Sequence, residues 1–125
     1  MPGHQDNAEV VLVLDIGGTF IKSALFRDGE LFCRLEPVPS CSTGNCEEIA
    51  AVFRQVVRQA GEFAHLAVAV PGPFDYVRGI FRMPHKFAAV NGRSFAELSG
   101  RNAACFLHDA NAFLLGEMTH GAARG

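Results

Sequence analysis

The sequence predicts an α/β domain in the order βββαβ, a small hairpin, then αβα, with a mixed sheet that opens as an antiparallel three-strand meander. Three observations lead there. Apolar runs of strand length recur at Val10–Leu14, His65–Val70 and Ala103–His108. Between them lie two segments with helix punctuation, one opening at Asn45 and one at Ser94. The first run is followed at once by two further strand patterns joined by Asp28-Gly29, so the chain turns back twice before its first helix. Strands that alternate with helices give an α/β layer architecture.

Each element has its own local reason. Val10 to Leu14 is a near-continuous apolar run, the pattern of a strand buried on both faces, and it ends in Asp15-Ile16-Gly17-Gly18-Thr19. Phe20 to Arg27 resumes a strand pattern, Asp28-Gly29 is a strong hairpin signal, and Glu30 to Glu36 pairs back. Pro37 to Gly44, rich in Pro, Ser and Thr, predicts a loop. Asn45 is an N-cap with Glu48 completing a capping box. Ile49, Val52, Phe53, Val56, Val57 and Ala60 follow at helical spacing, Arg54 and Arg58 suit the end of the helix dipole, and Gly61 closes it. His65 to Val70 is a buried strand stopped by Pro71-Gly72-Pro73. Phe74 to Arg82 alternates around Gly79 as a small hairpin. Ser94 and Glu97 form a second capping box for a short helix ending near Gly100. Ala103 to His108 is the next strand. Asp109 ends it and caps a helix carrying Phe113, Leu114 and Leu115. Residues 1–9 predict a polar tail and residues 10–125 the domain.

Composition excludes several classes. A chain of 125 residues is one domain and buries roughly two-thirds of its unfolded surface. With 49% hydrophobic and 19% charged residues it is not a disordered chain. A net charge of −2 argues against a dedicated nucleic-acid binder. No apolar run reaches the ~18 residues of a membrane helix, and residues 1–9 are too polar for a signal segment, so a cytoplasmic protein without a membrane partner is expected. Cys33, Cys41, Cys46 and Cys105 form no C-x-x-C pair and no zinc ligand set; isolated buried thiols are expected. A disulfide or a weak metal contact between Cys41 and Cys46 is the lesser alternative.

Three motifs carry chemistry. In Asp15-Ile16-Gly17-Gly18-Thr19, two adjacent glycines let backbone amides approach a ligand, consecutive amides form an anion-binding concavity, Thr19 adds a hydroxyl, and Asp15 adds a carboxylate suited to Mg²⁺ directly or through water. A strand follows, so this is neither a Walker A loop nor G-x-G-x-x-G. A GG turn alone is an ordinary hairpin turn; its flanking aspartate and threonine favour phosphate binding. In Pro71-Gly72-Pro73, Gly72 can bring its backbone close to a polar substrate, although alone the motif is a rigid turn. In His108-Asp109-Ala110-Asn111-Ala112, the carboxylate of Asp109 is placed to act as general base toward a hydroxyl, a role compatible with the plainer one of capping a helix. Glu117 lies eight residues on, about two helical turns, on roughly the same face as Asp109, for a supporting role. His85, next to Lys86 after Pro84, is within range of the cleft, but a solvated basic loop is the expected account. In a parallel arrangement the three strand ends converge on one edge, and together they describe phosphoryl transfer to a hydroxyl.

These residues resemble the ROK family of sugar kinases and sugar-responsive repressors. DIGGT followed by Phe20, Ile21 and Lys22, then PGP at 71–73, then DANA with Gly116-Glu117 occur in the family's order from about Val10 to the last residue. The resemblance implies a ribonuclease H-like, actin/hexokinase-type ATPase fold, of which this chain is the N-terminal lobe, with ATP and a sugar enclosed between two lobes. It implies that Asp15 serves Mg²⁺, that Gly17, Gly18, Thr19 and Lys22 belong to the ATP phosphate site, and that Asp109 deprotonates the sugar hydroxyl. Gly72, His108, Asn111 and Glu117 fall on the substrate side.

There are three departures. His108 stands where the family usually has asparagine, and Phe81-Arg82-Met83 precedes Pro84 where another sugar-binding asparagine is usual. A substrate other than glucose is consistent with both. The chain also stops at Gly125, where the family enters its C-terminal lobe with the adenosine pocket and a zinc motif. The expected partners are therefore a small-molecule sugar and a missing C-terminal lobe or separate chain; an exposed cleft face would suit a homodimer. ATP or polyphosphate could serve as donor. The alternatives are a non-catalytic sugar-sensing module related to the family's repressors, and a truncated lobe inactive alone.

Overall fold

The computed structural model describes residues 10–108. Their strands are β1 (Val10–Ile16), β2 (Phe20–Arg27), β3 (Glu30–Arg34), β4 (Val38–Pro39), β5 (His65–Ala69), β6 (Phe74–Asp75), β7 (Ile80–Phe81) and β8 (Cys105–Leu107). Two α-helices, α1 (Cys46–Gln59) and α2 (Phe95–Ser99), and a 3₁₀ turn at Ala88–Val90 complete the order. The main sheet runs β3-β2-β1-β5-β8. β1, β2 and β3 are antiparallel neighbours, as the two turn signals predict. β5 is parallel to β1, and β8 is parallel to β5. β6 and β7 form the small separate hairpin. The helix expected after Asp109 lies outside the described residues.

One expectation needs correction. The segment Pro37–Gly44 is not all loop, because Val38 and Pro39 pair antiparallel with Ile21 and Phe20. β1 occupies one edge of β2, so β3 and β4 share the other. Proline has no N–H to donate, so it is tolerated here on an outer strand.

Helix α1 forms as its ends direct. The Asn45 side chain accepts from the Glu48 N–H at 2.8 Å, and the Glu48 carboxylate accepts from the Asn45 N–H at 2.9 Å. Gly61 follows the cap residue Ala60 at φ 75°, a left-handed position that glycine occupies without a Cβ penalty. The Ser94–Glu97 box starts α2 in the same way.

Alternation along the strands makes two unequal cores. Val10, Leu12, Leu14 and Ile16 of β1 and Leu66 and Val68 of β5 share one cluster with Ile49, Phe53, Val56 and Val57 of α1. Phe53 is its centre, fully buried with ring centroids 5.8, 6.2 and 5.4 Å from those of Phe81, Phe87 and Phe95. The opposite face carries Val13, Phe26, Ala67 and Ala69, with Val11, Ala24, Cys105 and Leu107 against them. All four cysteines are free thiols, but none is buried as expected: Cys33, Cys46 and Cys105 are half-buried and Cys41 is exposed. Among the described residues no helix is long and apolar enough to cross a membrane.

Candidate functional site

The parallel registers decide where the motifs go. Asp15 stands directly beside Ala69, and Ala69 directly beside Leu107. The three strands therefore end level. The residues just beyond them, Gly17-Gly18-Thr19, Pro71-Gly72-Pro73 and His108, emerge along one sheet edge. Asp15 alternates with Val11 and Val13, so it lies on the sheet face away from α1. Lys22 is its cross-strand neighbour on β2 and is exposed.

The GG turn is built from the backbone outward. The Gly17 N–H donates to the Phe20 carbonyl at 3.0 Å, which closes a two-residue loop of Gly18 and Thr19. A Cβ on Gly17 would lie 2.8 Å from that carbonyl oxygen, closer than real Cβ contacts come, so the turn needs glycine for space. Ser40 and Ser42 donate their hydroxyls to the Gly18 carbonyl at 2.8 and 2.7 Å. The Ser40 N–H donates to the Thr19 carbonyl at 2.9 Å. Both carbonyls of the loop are thus held from the β4 side. The N–H groups of Gly18 and Thr19 and the Thr19 hydroxyl have no hydrogen-bond partner among the described residues. Adjacent free amides in a tight turn suit an anion.

At the middle strand end the Val70 N–H donates to the Leu107 carbonyl at 2.8 Å, and the Tyr76 hydroxyl donates to the Val70 carbonyl at 2.7 Å. The Tyr76 and His108 rings are 6.0 Å apart. A Cβ on Gly72 would sit 3.7 Å from the Tyr76 oxygen and 3.8 Å from His108 Cδ2. Gly72 and His108 are therefore neighbours, with Tyr76 completing a small polar and aromatic corner. Burial raises the Tyr76 phenol above its ordinary value, which keeps it a neutral donor.

No protein-family model matches the chain, and no curated protein does. Solved structures do match. The ROK hexokinase from Thermus thermophilus superposes at a TM-score of 0.54 with 28% identity, over 79% of this chain and 34% of that one. An inorganic polyphosphate/ATP-glucomannokinase from Arthrobacter sp. strain KM superposes at 0.65 with 23% identity, over 93% of this chain and 50% of that one. The chain has the fold of a ROK sugar-kinase lobe. A ROK transcriptional regulator, a homologue of the E. coli MLC protein, matches at 0.54 with 19% identity, over 90% of this chain and 31% of that one. The chain spans a third to a half of the length of these proteins.

Within this lobe, the structure brings together Asp15, the GG turn and Lys22 at one strand end, and Gly72 with His108 at its neighbours. Asp109, Asn111 and Glu117 lie outside the described residues. Among the described residues no group of three or more His, Cys, Asp and Glu gathers as a metal site. A Mg²⁺ ion needs only one or two carboxylates when phosphates and waters supply its other ligands. Asp15, beside a turn with two amides open to an anion, fits that requirement.

Two residues at the edge escape sequence reasoning. Tyr76 is one; its place in a hairpin gives no hint of the corner it joins. Lys86 is the other. A Cβ on Gly18 would meet Lys86 Cδ at 2.9 Å and Nζ at 3.6 Å, so the lysine, exposed as expected, lies across the GG turn. His85 beside it is exposed.

Proposed function

We propose that this ROK lobe carries the phosphate turn and the base of a sugar kinase, which moves a phosphoryl group from ATP to a hydroxyl of a hexose or amino sugar. The observation that supports it best is the level register of β1, β5 and β8, since it delivers the GG turn, the Gly72 corner and the segment entering Asp109 to one edge. Gly17 shapes the turn, and Gly18 and Thr19 offer N–H donors to phosphate oxygens, with the Lys22 ammonium nearby. Asp15 would hold Mg²⁺, directly or through water, and the bound ion would supply charge neutralisation at the phosphates. Gly72, His108 and Asn111 orient the sugar, and Glu117 supports the site. Asp109 takes the proton of the hydroxyl as its oxygen bonds to the terminal phosphorus and the bond from phosphorus to the donor's bridging oxygen breaks. The matched glucomannokinase is named for both polyphosphate and ATP, so the donor can be either. A second lobe, from the same chain or another, completes the cleft. The setting is the cytoplasm.

The test is sugar-dependent ATP consumption by the natural protein across hexoses and amino sugars, with Asp109→Asn beside it. Loss of the base should lower turnover by about 10²–10⁴-fold while circular dichroism stays unchanged. Near-normal turnover would remove Asp109 from that role. The match to a ROK transcriptional regulator favours one other function, a sugar sensor without catalysis. Sugar binding with no ATP consumption would select it.

A further inference from the structure

We infer that Lys86 is a phosphate-contacting residue, whose ammonium meets the oxygens of a condensed phosphate chain seated on the GG turn. This role presupposes the phosphoryl-transfer function proposed above.

Three observations carry the assignment. First, the lysine stem crosses Gly18: a Cβ there would lie 2.9 Å from Cδ, 3.6 Å from Nζ and 3.8 Å from Cε. The ammonium therefore stands within a few ångströms of the two amides that lack partners among the described residues. The room it uses exists because position 18 has no side chain. Second, the backbone beside Lys86 is tied to the same turn. The Phe87 N–H donates to the Ser42 carbonyl at 2.8 Å, and the Ser42 hydroxyl donates to the Gly18 carbonyl at 2.7 Å. Phe87 is fully buried against Phe53 and Phe81 and holds a left-handed φ of 56°. A bulky residue adopts that conformation only where its surroundings enforce it. Lys86 is thus presented by an anchored segment. Third, Lys86 makes no ion pair among the described residues. A lysine and consecutive amides that converge on one point are the elements with which proteins hold phosphate chains.

The experiment uses the 125-residue chain, labelled with ¹⁵N, at low salt. Sodium tripolyphosphate and ATP are titrated in parallel while the amide signals of Gly18 and Thr19 are followed. Both ligands should shift those signals. Lys86→Gln should weaken both by about tenfold or more, Lys86→Arg should restore most of the loss, and added salt should shrink the difference. Arg58→Gln removes the same charge at the far end of α1 and should bind within about twofold of wild type. Equal binding by Lys86→Gln and wild type overturns the assignment while leaving the phosphate turn standing. A loss seen with ATP alone also overturns it, because that would put the lysine on the nucleoside. If neither ligand moves Gly18 or Thr19 in the wild-type chain, the phosphate turn itself is refuted and Lys86 with it.

Discussion

Gly79 and Gly61 offer a matched pair of alanine substitutions. Both glycines hold left-handed backbone, with φ of 72° and 75°. An L-residue in that region costs about 1–2 kcal/mol. Around Gly61 a new Cβ would meet nothing within 4 Å, so Gly61→Ala should cost that strain alone. At Gly79 the Cβ would lie 2.5 and 2.6 Å from Cζ and Cε2 of Phe106. That ring cannot simply step aside, because Phe74 and Phe95 stand 5.3 and 6.0 Å from its centroid. Nor can the hairpin, since the Gly79 N–H and carbonyl are bonded to Asp75 and Phe95 at 2.7 and 2.8 Å. Overpacking of this kind adds about 1–3 kcal/mol. Gly79→Ala should therefore cost about 2–5 kcal/mol, against about 1–2 for Gly61→Ala. At about 4 °C per kcal/mol for a chain of this size, Tm should fall by about 8–20 °C in the first variant and about 4–8 °C in the second. Thermal and urea unfolding followed by far-ultraviolet circular dichroism measures both. Phe106 also precedes His108 by two residues, so the imidazole signals should move in Gly79→Ala and stay in Gly61→Ala. Equal losses in the two variants would refute the steric argument.

Two further outcomes follow from the packing and the caps. Phe53→Ala empties the centre of the aromatic cluster and should cost about 3–5 kcal/mol in urea unfolding; a loss below about 1 kcal/mol would show that the cluster is not the core. Glu97 is held below its ordinary value, chiefly by the Ser94 N–H and then by the Arg93 side chain. A depressed carboxylate adds stability above its unfolded-state pKa and loses it as pH falls through the lower folded value. The urea midpoint of wild type should thus exceed that of Glu97→Gln at neutral pH and converge with it on acidification. A gap independent of pH would show that the Glu97 charge contributes nothing.

Local features were readable before the fold was known. Both capping boxes and the Asp28-Gly29 turn lie within a few residues of sequence, so side chain and backbone specify them together. The parallel strands were readable because burial on two faces leaves unbroken apolar runs. Their level ends were not, since register depends on hydrogen bonds between segments far apart in sequence. β4 was missed for a related reason. Two residues containing a proline carry no period, and only the open edge of β2 beyond β3 makes them a strand. Lys86 was missed because nothing near Pro84 in sequence refers to Gly18; the link runs through Ser42 and the burial of Phe87. The chemistry of the edge and the meeting of its three motifs were legible, and the presence of Tyr76 and Lys86 beside them was not.

The flush strand ends have a consequence for how such a lobe can change. Deleting one residue from β5 would turn Ala69 toward α1 and draw the Pro71–Pro73 turn back by about 3.3 Å. Exchanging a side chain one step past a strand end disturbs no ladder bond at all. Spacing at this edge is therefore the property of the backbone, and selectivity the property of a few replaceable residues. His108 sits just past such an end, so exchanging it would leave Gly72 and the GG turn in place.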